Sequence, residues 1–393
     1  MKPLRKRLKQ YSRPVVGLVA AIISLLGLFL WRLWSLTPGL SPTEYATAGA
    51  TYGWHGLVQS PLFLPIDFLR SSLFSLAGHH GILLTRLPNV VFGIVTILLL
   101  GFIIRAWHGT RTAVWATLMF ACNAWVLHIS RLASNDSVYL LALPLLLVVQ
   151  LYMLKKPTKP LVWYGSLTTC VLLLYVPGMI WLVLLSLYWQ RRGLVAGWRA
   201  RTARWQRGLY VLLALGVLPL LPYLTQLSHL KQWLGLPEQF SFSEIGRQTL
   251  FVPVHLLVRG PLDAERWLAH APILDAIALA LAVIGIWFYI THFSATRSRV
   301  LTSFTAVGVI LIGLGGSVGL SLLVPMLFIG VAMGIAYMSR EWLSVFPRNP
   351  VARRLGLAIL SLAVAVSCAY NLRAYFVAWP HNPSTLATFQ AQN

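Results

Sequence analysis

Negative charge is the scarcest commodity in this sequence, with nine Asp and Glu among 393 residues. Charged residues of both signs make up only 10% of the chain, while 58% is hydrophobic. A soluble globular domain carries about 25% charged residues, so an ordinary water-soluble fold is excluded. Cysteine is also sparse. Cys122, Cys170 and Cys368 all fall in apolar stretches, with no disulfide framework and no metal-ligand spacing. The motifs GxxxxGK[ST], HExxH and CxxC are missing. An ATP motor and a zinc protease therefore find no support.

Long apolar runs dominate instead. They fall near 14–36, 88–107, 112–129, 137–154, 161–175, 177–190, 208–224, 273–292, 300–314, 318–338 and 354–371. Helices crossing about 30 Å of hydrocarbon explain them. The expected fold is an all-α polytopic membrane protein of about eleven transmembrane helices, with 1–393 as a single membrane domain. Two of the runs are divided by turn chemistry. Residues 161–190 break at Tyr175-Val176-Pro177-Gly178, and 300–338 break near Gly313, Gly315 and Gly316.

The formal charge of +23 is sorted by loop. Numbering the loops alternately places 23 of the 32 Lys and Arg on the side of the N-terminus, and of the acids only Glu341. Short basic loops stay cytoplasmic, which puts the N-terminus inside and nearly all carboxylates outside. A plasma-membrane, multi-pass protein with an exterior site is expected. The cations flank spans, where topology and lipid head groups account for them, so nucleic acid is not an expected partner. The basic flank 2–13 leads into an apolar stretch too long for a signal peptide, which reads as an uncleaved first helix.

Two loops on the carboxylate side are long. The first, 37–87, contains 61–77 (PLFLPIDFLRSSLFSLA), which suits an interfacial helix. The second, 225–272, contains 245–258 (IGRQTLFVPVHLLV), of similar character.

The residues able to carry chemistry are few. Glu44 lies just past the first span, and Asp136 lies between the third and fourth. Each could accept a proton from a hydroxyl or hold a divalent cation, Mg or Mn. The plain alternatives are a loop cap for Glu44 and a helix cap for Asp136. Arg86 and Arg131 sit at span edges, where a planar guanidinium could hold phosphate or snorkel to lipid. His55, His79 and His80 could donate to phosphate or sugar. Tyr175 could stack on a sugar or join the interfacial aromatic belt.

Several segments together resemble one family. PGLSPTEYATAGA (38–50) resembles the first-loop motif of the integral-membrane GT-C glycosyltransferases of the dolichyl-phosphate-mannose–protein mannosyltransferase type. GILLTRLPNVVFGIVTILLL (81–100), CNAWVLHISRLASND (122–136), LLYVPGMIW (173–181) and WLAHAPILDAIALALAVIGI (267–286) are similar to later segments of that family, in the same order. The resemblance covers most of 32–290.

It implies a GT-C-like fold and transfer of a sugar from a polyprenyl-phosphate donor to a lipid, glycan or protein acceptor at the exterior face. It implies an acid of the first loop as base or metal ligand, and cations for the departing phosphate. Glu44 and Asp136 are then the expected catalytic and metal-binding residues. Arg131, Arg86, His55, His79 and His80 become the expected donor-binding set, and Tyr175 a substrate contact. One departure stands out: where the family has Asp-Glu, this chain has Thr43-Glu44. Two other functions remain open. One is a catalytically inactive lipid-glycan-binding scaffold. The other is a lipid-linked sugar transporter, which would need charged residues inside spans.

Overall fold

The computed structural model describes residues 17, 19–51, 60–79, 81–200, 208, 211, 213, 215–239, 241–260, 265, 267 and 271–390. His55 and His80 lie outside the described residues. The described residues are helical with no strand. The helices are α1 (Val19–Leu30), α2 (Pro42–Thr51), α3 (Leu64–Ala77), α4 (Ile82–His108), α5 (Thr110–Cys122), α6 (Ala124–Arg131), α7 (Asp136–Lys155), α8 (Pro160–Leu174) and α9 (Met179–Arg199). They continue as α10 (Leu220–Tyr223), α11 (Leu227–Leu234), α12 (Phe242–Leu257), α13 (Ala276–Thr291), α14 (Thr296–Gly313), α15 (Val324–Val345), α16 (Pro350–Arg373) and α17 (Pro383–Gln390).

Among the described residues, four helices are long and apolar enough to cross a membrane, or up to six if each bent pair is one span. The bent pairs are α5 with α6, at 61°, and α13 with α14, at 116°. The breaks fall where the sequence puts turn residues. Gly178 adopts φ 74 between α8 and α9, and Gly315 adopts φ 72 after α14. Glycine reaches this left-handed region without steric cost. Helices also stand at 64–77 and 242–257, where interfacial helices are expected.

The 61° bend has an identifiable cause. Asn123 leaves the helical path, and its side chain accepts from the Val126 N–H at 3.1 Å to cap α6. Its amide donates to the Ile273 carbonyl at 2.9 Å, while the Ala124 N–H donates to Asn371 Oδ1 at 3.0 Å. Asp275 caps α13 and accepts from Ser367 and Asn371 on α16 at 2.7 and 2.8 Å. Polar groups at membrane depth need internal partners, and this network supplies them. Beside it, α13 and α15 approach closely through small residues. A Cβ on Gly285 would lie 1.9 Å from the Gly330 carbonyl oxygen, a contact that only glycine permits.

The C-terminal segment folds back over the first loop. Trp379 and Phe389 are buried and meet edge to face at 5.6 Å. A Cβ on Gly39 would lie 3.0 Å from the Phe389 carbonyl oxygen.

Candidate functional site

The first turn of α2 is a complete capping box, Ser41-Pro42-Thr43-Glu44. The Glu44 N–H donates to Ser41 Oγ at 3.2 Å, and the Ser41 N–H donates to Glu44 Oε2 at 3.0 Å. Such a box satisfies two helix-end donors reciprocally. Glu44 has no exposed surface. Arg86 Nε and Nη2 both donate to its carboxylate at 2.8 Å, and the Ala133 N–H donates at 2.9 Å. The remaining Arg86 contacts go to the Leu33 carbonyl, the Thr37 hydroxyl and the Gly39 carbonyl, at 3.0 to 3.2 Å. Glu44 and Arg86, expected as base and phosphate ligand, are thus sealed against each other. They clamp the first loop to α4 and to the link after α6.

One turn along α4, Asn89 does the neighbouring job. Residues three apart share a helix face. Asn89 donates to the Ser134 carbonyl at 2.5 Å and to Ser137 Oγ at 2.9 Å. It accepts from Arg70 at 3.2 Å, and Arg70 also pairs with Asp67 at 2.7 Å. This fixes the Ser134-Asn135-Asp136 link that enters α7.

A cavity of about 310 Å³ opens against that link. Its polar lining comes from Thr43, Thr47, Ser134, Asn135, Asp136, Ser317, Glu265, His128 and Tyr139, with Phe63 as one apolar wall. Two carboxylates therefore line it, and among the described residues no Lys or Arg does. Glu265 is almost completely buried. Its Oε1 accepts from the Thr43 hydroxyl, in a short contact, and from the Thr43 N–H at 3.2 Å. His128 Nε2 donates to the Glu265 carbonyl at 2.9 Å, anchoring the backbone there. Asp136 presses on a bare stretch of chain, since a Cβ on Gly319 would lie 2.4 Å from Asp136 Oδ1.

The expected residues divide sharply. Asp136 lines this cavity, as does Thr43, the position where the resemblance implies an acid. Glu44 and Arg86 do not line it. Arg131 lines a separate, far smaller space. His79 is exposed and contacts the Ala77 carbonyl at 3.0 Å, away from the cavity. Tyr175 lies in the α8–α9 turn, with its hydroxyl on the Gly216 carbonyl at 2.5 Å. It contributes at one remove, since the Phe63 N–H donates to its carbonyl at 2.7 Å. The sequence reading missed Glu265. The available signal was an acid beside Trp267, in a loop assigned to the same side as the first.

A divalent cation shared by Glu44 and Asp136 does not fit this arrangement, because the Glu44 oxygens face a guanidinium. Among the described residues no group of three or more His, Cys, Asp or Glu is placed to hold a metal.

No protein-family model matches this sequence, and no curated protein matches it. Solved structures do. ArnT from Cupriavidus metallidurans bound to undecaprenyl phosphate superposes with a TM-score of 0.59 at 10% identity, over 95% of this chain and 77% of that one. The apo state of the same protein gives 0.58 at 12% identity, over 96% and 78%. The chain shares the fold of this protein, the GT-C-like arrangement expected from the sequence. Its apolar helices and this fold together make it a membrane protein.

Proposed function

We propose that this GT-C chain transfers a sugar from a polyprenyl-phosphate-linked donor to a hydroxyl of a lipid, glycan or protein acceptor, at the exterior face of the plasma membrane. The observation that carries the reading is the 310 Å³ cavity in which Glu265 and Asp136 meet the first-loop residue Thr43. Small-molecule sites span about 300–1,000 Å³, so the space suits a sugar with its attacking group. The solved relative with undecaprenyl phosphate supports a lipid-phosphate partner.

In this reading Glu265 stands in space where position 43 lacks an acid. The Thr43 hydroxyl and amide both donate to its carboxylate, which fixes its direction. The carboxylate takes the proton from the acceptor hydroxyl as that oxygen attacks the anomeric carbon. The bond from that carbon to the phosphate oxygen breaks, the configuration inverts, and the lipid phosphate leaves with the electron pair. Asp136 flanks the reacting centre and stabilises positive charge developing on the sugar ring. A general base of this kind contributes about 10²–10⁴-fold.

A second reading is a lipid-glycan-binding scaffold without transfer. The threonine hydroxyl engaging one oxygen of Glu265 favours it. Sugar transfer in proteoliposomes, from a panel of labelled polyprenyl-phosphate sugars, separates the two. Transfer by the wild type that disappears in Glu265→Gln and Asp136→Asn supports the enzyme. Saturable donor binding with no transfer supports the scaffold.

A further inference from the structure

Arg131 ends α6 and is 2% exposed, yet among the described residues no carboxylate pairs with it. Among the described residues the ion pairs are Asp67 with Arg70, Glu44 with Arg86, and Glu244 with Arg247. Arg131 Nη2 donates to the Trp31 carbonyl at 2.6 Å, whereas Nε and Nη1 are buried without a partner. The rings of Tyr375 and Phe376 lie 5.1 and 5.0 Å from its Cζ. Those faces soften the charge but do not satisfy the N–H groups.

Two more buried atoms without a partner belong to the same place. Trp379 is 2% exposed and its indole N–H meets nothing, and His128 Nδ1 meets nothing either. Arg131, Trp379 and His128 all line a cavity of about 10 Å³, with Leu33, Leu36 and Tyr375 among its walls. That is room for one particle of roughly water size. A water molecule has two lone pairs and no charge. It cannot serve the Arg131 Nε, Arg131 Nη1 and Trp379 Nε1 donors together, and it leaves a buried guanidinium uncompensated. Burying an unpaired ion costs several kcal/mol.

We propose that this cavity binds one monovalent inorganic anion of chloride size. A halide accepts from several donors at once and cancels the charge, whereas phosphate or a carboxylate is too large for the space. The site stands directly behind the sugar cavity, because His128 lines both. His128 Nε2 also donates to the Glu265 carbonyl at 2.9 Å, so the site adjoins the backbone that carries Glu265.

The test uses the full chain in detergent and needs no sugar transfer, so it stands or falls apart from the proposed reaction. Thermal unfolding is followed in sodium chloride, bromide, phosphate and gluconate at equal ionic strength. Chloride and bromide should raise Tm in a saturable way, as a ligand of the native state does, and gluconate and phosphate should not. Trp379→Phe keeps the ring packing and removes one donor. It should weaken chloride roughly tenfold, the usual worth of a hydrogen bond to a charged group. Arg131→Gln should abolish the response. Bromide crystals should show anomalous density between Arg131 and Trp379. Equal Tm in chloride and gluconate would overturn the proposal. So would stabilisation by phosphate alone, or an unchanged chloride response in Trp379→Phe.

Discussion

Two carboxylates, one in the first loop and one brought to it from the second, behave in opposite ways. Glu44 is wholly enclosed and bonded on every side, by Ser41, Arg86 and Ala133. Glu265 lines the cavity, where its carboxylate accepts from the Thr43 hydroxyl and N–H. Thr43 and Glu44 are neighbours in sequence, but one turns to the cavity and the other into the protein. Chemistry needs an acid that a substrate can reach, whereas architecture needs one that nothing can reach.

The sharpest way to break this comparison is Glu44→Gln. It leaves Arg86 buried without its counter-charge, which costs about 3–5 kcal/mol. The expected result is a large fall in denaturant midpoint or no folded protein at all, and Arg86→Met on the same background should restore part of it. If Glu44→Gln folds normally and only activity is lost, the two acids have been assigned the wrong way round. Glu265→Gln should do the reverse, keeping Tm near the wild-type value while transfer falls about 10²–10⁴-fold.

Next in size is a pH effect behind the cavity. Burial lifts Asp67 from its ordinary 3.8 to about 6, against the pull of Arg70. The native state therefore holds this proton more tightly than the unfolded chain does. The resulting stabilisation is complete below about pH 4 and gone above about pH 6, a span of about 3 kcal/mol. Tm measured across that range should fall with rising pH in the wild type relative to Asp67→Asn. Parallel curves would show that Asp67 titrates normally. The smallest effect belongs to Thr43→Val, which removes one hydrogen bond to Glu265 and should lower transfer about tenfold, with Thr43→Ser close to wild type.

The helical membrane fold was readable because bilayer thickness imposes long apolar runs, and the breaks at Gly178 and Gly315 were readable because glycine marks positive φ. The role of Glu44 was legible too. Ser-x-x-Glu before a helix is a capping signature, and its chemical appeal as the first acid of the chain obscured it. Asp136 opens α7, at the boundary between two apolar runs, and lines the cavity. Glu265 was not legible, because its contact with Thr43 spans 222 positions and no local pattern encodes such a meeting. Arg131 and Arg86 looked alike at span edges. Only the fold shows that Arg86 pairs with an acid and that Arg131, among the described residues, does not.

The placement of α17 over Gly39 has a consequence in time. A chain inserted from its N-terminus delivers the first-loop motif early, whereas Trp379 and Phe389 are made only after the apolar runs between 88 and 371. Gly39 therefore waits for its partner through the synthesis of more than three hundred residues, and the contact between the two closes late in assembly.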